Sequence, residues 1–152
     1  MKKNIFLIFS LMLFTACEVG PKPINYGSDS CDYCSMTIVD RQHAAEIVTE
    51  KAKARKFDAV ECMVNYDREH SDTPVALYLA ADFNLPGKLI DATQATFLIS
   101  DQLSSPMGAN LSAFVSREAA EEKKQEYGGK ILDWKALNAI DTLTTMQQKR
   151  RY

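Results

Sequence analysis

From Thr37 onward, apolar and polar positions fall into short blocks that predict a strand–strand–helix–strand order, stated twice. Thr37-Ile38-Val39 is β-branched and reads as a strand. Asp40 to His43 reads as a turn, Ala44 to Thr49 as a second strand, and Glu50 to Lys53 as a polar hairpin tip. The chain returns through Ala54 to Phe57. Asp58 then stands where a helix N-cap is expected, with Val60, Met63, Val64 and Tyr66 following at helical spacing. Glu61, three residues after Asp58, completes a capping-box pattern. Ser71-Asp72-Thr73-Pro74 breaks this helix, and Val75 to Ala80 reads as a strand.

Pro86-Gly87 marks the best internal boundary. Beyond it, Lys88 to Ala92 and Thr96 to Ser100 read as strands, Asp101 to Gly108 as a loop, and Ala113 to Val115 as a further strand. Ser116 caps a charged helix that Gly128-Gly129 stops. Ile131 to Trp134 closes as a strand, and Lys135 to about Met146 forms a terminal helix. The expected architecture is α+β: two small ββαβ-type halves, residues 31–85 and 86–152, plus a C-terminal helix.

The first thirty residues do not belong to that pattern. Met1-Lys2-Lys3 is a basic start, and Ile5 to Phe14 is an apolar run broken only by Ser10. It is too short to cross a bilayer and right for a signal peptide. Leu13-Phe14-Thr15-Ala16-Cys17 resembles the bacterial lipobox, so residues 1–16 are expected to be cleaved and the Cys17 thiol to be lipidated. Residues 17–30, with Pro-Lys-Pro and Gly-Ser, read as a tether between lipid and domain. The expected location is the cell envelope, facing the periplasm, on the outer membrane.

Composition changes this picture little. Hydrophobic content of 46% and charged content of 25% are ordinary for a globular chain. A formal net charge of −2 leaves no basic footprint for nucleic acid. The four cysteines matter more: with Cys17 acylated, Cys31, Cys34 and Cys62 remain, and an odd number argues against a disulfide scaffold.

Candidate chemistry concentrates in Cys31-Asp32-Tyr33-Cys34-Ser35-Met36. Thiolate and thioether are soft ligands and select Cu(I). In an extended segment, Cys34 and Met36 at i and i+2 share a face. Met107, in Ser104-Ser105-Pro106-Met107-Gly108, is a second thioether presented by a turn. Two other uses of the cysteine pair stay open. One is thiol–disulfide redox chemistry at Cys31 and Cys34. The other is structural zinc, needing Cys62 and either His43 or His70. Both ignore the methionines. His43 and His70 read as solvated surface residues, Met63 as core, and Cys62 as a buried thiol. Nothing resembles a nucleophile elbow, phosphate loop or zinc-protease helix, so binding is expected rather than catalysis.

Four places together carry a family resemblance: Cys34-x-Met36, Phe57-Asp58-Ala59, Ser105-Pro106-Met107-Gly108, and the run from Ala113-Phe114-Val115 through Ala119-Ala120 to Gly128-Gly129-Lys130-Ile131-Leu132. In this order the chain resembles the NosL lipoproteins, accessory factors for nitrous-oxide reductase. The resemblance implies a Cu(I)-binding metallochaperone, not an enzyme, that serves the reductase's copper centre through an ABC-type maturation complex and its periplasmic subunit. It also implies two ββαβ-type halves similar in shape to the organomercury lyases. The ligands it carries over are Cys34, Met36 and Met107, with Cys31 beside them.

Overall fold

The computed structural model describes residues 18–140 together with Leu143. The expected signal peptide, the expected lipidation site Cys17 and, Leu143 apart, the stretch of the expected terminal helix beyond Ile140 lie outside the described residues. Among those described, two antiparallel sheets carry three helices. β1 (Ala45–Thr49), β2 (Ala54–Phe57), α1 (Val60–Glu69), β3 (Val75–Ala81) and β4 (Leu89–Asp91) come first. β5 (Thr96–Ile99), β6 (Leu111–Phe114), α2 (Arg117–Tyr127), β7 (Lys130–Leu132) and α3 (Trp134–Asn138) follow. The sheets are ordered β2-β1-β3-β4 and β6-β5-β7.

The α+β expectation holds, and the stretch that builds each sheet begins strand, strand, helix, strand, from β1 in the first and from β5 in the second. β4 follows the Pro86-Gly87 turn yet pairs with β3, so pairing in the first sheet continues across that turn. Two contacts sew the sheets together: the Asp82–Ala113 bridge and the Phe83 N–H on the Ala113 carbonyl at 2.8 Å.

β1 is the central strand of its sheet, and all five of its residues are buried. Ile47 lies in a core with Ile38, Phe57, Met63, Phe97 and Leu111, so both halves share one interior. β5 shows why. Phe97 faces that shared core while its neighbour Leu98 joins Phe114 and Ala120 beneath α2, as the two-residue period of a strand requires. Gly129, at φ +105, lets β7 approach β5; a Cβ there would stand 2.2 Å from the Ile99 carbonyl oxygen.

Five local expectations are corrected. Thr37-Ile38-Val39 is not a strand, because only Thr37 pairs, in an isolated bridge with Ser30. Trp134 opens α3, since the Asp133 carboxylate accepts from the Ala136 N–H and caps that helix. Asp58 does not cap α1: its N-cap is Ala59, and no side chain bonds there. Glu61 is no capping-box partner either, because its buried carboxylate is engaged elsewhere. The tether, finally, is docked from Lys22. That residue's N–H bonds Glu46 at 2.8 Å, and Lys56 Nζ reaches both the Pro23 carbonyl and Asp29 at 2.6 Å.

Candidate metal centre

The 31–36 loop is closed at its base by the Ser30–Thr37 bridge. Inside it, the Cys31 N–H donates to the Met36 carbonyl at 2.8 Å and the Ser35 N–H to the Cys31 carbonyl at 3.0 Å. Asp32 stitches the loop to β2, accepting from Arg55 at 2.9 Å and from the Lys56 N–H at 2.8 Å. The Tyr33 hydroxyl donates to Glu69 near the end of α1. The loop is thus held against the strand and the helix that flank Phe57-Asp58-Ala59.

That placement gathers four donors. Sulfur atoms of Cys31, Cys34 and Cys62 and a carboxylate oxygen of Asp58 all lie within 4.8 Å of one another. Cys31 and Cys62 are 2% and 1% exposed; Cys34 is half-buried. All three thiols are free. Asp58 Oδ2 accepts from the Cys34 thiol at 3.5 Å, whereas Oδ1 is buried without a hydrogen-bond partner. An orphaned carboxylate oxygen in a dry site is costly unless a cation or donor reaches it.

The thiols differ in proton affinity. Cys31 is pulled down to about 6, chiefly because the Cys62 thiol donates to it and also because backbone N–H groups of Cys34, Asp58 and Tyr33 point at its sulfur. Cys34 is pushed up to about 11 by burial, with the negative charges of Cys31 and Asp58 adding to it. Cys62 is held protonated by its bond to Cys31, by burial, and by Asp58. One thiolate is therefore preformed, and two further thiols can release protons to an arriving soft cation.

Cys31 and Cys34, expected from the sequence, meet here. Cys62, read as a plain buried thiol, and Asp58, read as a cap, join them. Asp58 sits two residues before α1 and Cys62 in its first turn, so the start of the helix brings the two together. Met36 is 51% exposed, and its N–H donates to the Cys34 sulfur. Ser35 has φ +64, so the segment is not extended and the alternation argument for Cys34 and Met36 does not apply. Met107 is half-buried against the shared core that includes Cys31 and Cys62. His43 is buried rather than solvated: Nδ1 meets Asp40 at 2.9 Å and Nε2 meets Ser112 at 3.3 Å. His70 is exposed at the end of α1, stacked on Tyr66. Neither histidine joins the thiol group.

The NosL family model matches residues 23–140, well over half of the chain. The chain belongs to the NosL family. A curated NosL relative, the copper-binding lipoprotein NosL of Stutzerimonas stutzeri, is 27% identical over 121 residues. That match takes in 74% of this chain and 64% of the relative, so the chain spans less than two thirds of the relative's length. The crystal structure of the copper chaperone NosL from Shewanella denitrificans superposes with a TM-score of 0.68 at 22% identity. It covers 78% of this chain and 95% of that one, which establishes the NosL fold here.

Proposed function

We propose that this chain is a Cu(I)-binding lipoprotein of the cell envelope that carries copper rather than catalysing a reaction. Three thiols and a carboxylate oxygen of Asp58 within 4.8 Å of one another are the observation that carries this reading. The names of its NosL relatives, a copper-binding lipoprotein and a copper chaperone, support it. Sulfur-rich donor sets favour Cu(I) over harder ions. In this reading the ion draws its ligands, four at most at one time, from the Cys31, Cys34 and Cys62 thiols on the buried side and the thioethers of Met36 and Met107. Met36, exposed beside Cys34, is the ligand a partner meets first. Exchange then proceeds by entry of the partner's ligand before the last thiolate leaves.

The recipient, by the family resemblance, is the copper centre of nitrous-oxide reductase, reached through an ABC-type maturation complex with its periplasmic subunit. The lipid on Cys17 would keep the domain at the outer membrane, facing the periplasm. Because docking begins at Lys22, the free tether is short and holds the domain close to the membrane.

A second reading has one observation in its favour. Asp58 adds an oxygen donor to three sulfurs, a set that Zn(II) accepts in tetrahedral geometry. Anaerobic titration of the reduced domain with Cu(I) and with Zn(II), against chromophoric competitors, separates the two. Tight 1:1 Cu(I) binding, weak zinc binding, and losses in Cys34→Ser, Met36→Ala and Met107→Ala are expected. Tight zinc binding that neither methionine change weakens would instead make this a zinc site. A stable disulfide that turns over with thiol substrates would make it a redox protein.

A further inference from the structure

Glu61 is a buried carboxylate on the first turn of α1 whose role the metal-donor group does not include. Its Oε1 accepts from the Ser105 hydroxyl and, at 3.3 Å, from the Ala109 N–H. The Ser105 hydroxyl oxygen in turn accepts the Asn110 N–H at 2.8 Å. Between those anchors the Gly108 N–H donates to the Ser105 carbonyl at 3.0 Å, closing a tight turn on Pro106-Met107. Gly108 and Asn110, at φ +78 and +57, carry the left-handed backbone this path needs.

One carboxylate oxygen therefore holds both ends of the Met107 turn. It extends from the residue directly before Cys62, on the helix that follows Asp58. Burying a carboxylate is expensive, and a serine or an amide would serve a merely structural loop at lower cost. The one metal-donor side chain displayed between the anchors is the Met107 thioether.

We infer that Glu61 is a positioning residue, a latch that fixes the Met107 turn to α1 and so sets the thioether in register with the thiol group. This inference rests on the copper reading above. It adds that Met107 acts through a fixed turn rather than as a mobile arm, and that the two halves of the fold are coupled at the site through Glu61.

A double-mutant cycle with Cu(I) as the probe tests it. Glu61→Ala is expected to weaken Cu(I) about tenfold, in the range of lost ligand-orienting contacts. Ser105→Ala should act in the same direction but less. Glu61→Gln keeps an acceptor oxygen and should restore near-native affinity, which also guards against a variant that simply fails to fold. In a Met107→Ala background, Glu61→Ala should add nothing. Methyl NMR of labelled methionines gives the spectroscopic signature: Cu(I) should shift the Met107 methyl in the native chain and in Glu61→Gln, not in Glu61→Ala. Metal-free protein reports on the latch separately, because Glu61→Ala should speed amide exchange at Ala109. Additive losses in the cycle, or a Met107 methyl that still shifts in Glu61→Ala, would overturn the latch while leaving the copper reading intact. Native protein that ignores Cu(I) although Ala109 stays protected would overturn the copper reading, and the role of Glu61 toward the metal with it.

Discussion

The first two strand-to-helix junctions among the described residues solve the same local problem differently. At the second, between β6 and α2, Ser116 caps its own helix by accepting the Ala119 N–H at 3.2 Å. At the first, between β2 and α1, Ala59 is the N-cap and no side chain satisfies the helix start. The polar residue available there, Asp58, is turned instead toward Cys34, with one oxygen left unpaired. α2 buries only Ala120, whereas the first five residues of α1 are all buried. The junction with the better local structure carries no chemistry. The other gives up a cap and retains a buried charge, the kind of local conflict that marks functional sites.

Proton linkage should break the symmetry most strongly, because the first junction must shed protons to take a metal and the second has none to shed. Above about pH 6 Cys31 is already a thiolate, while Cys34, at about 11, and the protonated Cys62 are not. Metal binding at neutral pH then displaces two protons, and affinity should rise up to about a hundredfold per pH unit. Below pH 6 a third proton is displaced and the dependence steepens. Competition titrations at several pH values measure that slope, and a flat profile would show that thiolates do not hold the ion.

Asp58→Asn should split binding from stability. Removing the buried charge weakens Cu(I) about tenfold, as for other contacts that tune a site. It also raises the metal-free melting temperature by a few degrees, since a neutral amide is cheaper to bury than a carboxylate. A melt and a titration on the same sample decide it, and a simultaneous loss of both would mean that Asp58 serves the fold. The smallest effect belongs to the second junction. Ser116→Ala should cost about 1 kcal/mol of stability, read from a denaturant titration, with copper affinity unchanged.

Much of the fold could be read from the sequence, and the errors cluster at the site. Ser116 was recognisable as a cap and Gly128-Gly129 as a stop because local rules and the tertiary structure agree there. Asp58 and Glu61 match a capping box equally well in sequence. Their carboxylates are claimed by long-range partners, Cys34 for one and Ser105 with Ala109 for the other. No window around residue 58 contains those partners. Cys31 and Cys34 were visible as a motif, but Cys62 joins them only because the 31–36 loop is bonded to β2 and α1. The exposed left-handed Ser35 likewise defeats an alternation argument that needs extended backbone. His43 read as a surface residue for the same reason: its partners Asp40 and Ser112 come from a turn and from a strand of the other sheet.

The central claim is that the metal site is built at the first junction, from the loop and the helix start together. Cu(I) affinity of Cys62→Ser against the native chain tests it most directly, because Cys62 lies outside the Cys-x-x-Cys-x-Met run and enters only through the fold. The account predicts a loss of more than about a hundredfold, beyond that of an orienting contact, with the fold retained. Unchanged affinity would contradict it and return the site to the linear motif alone.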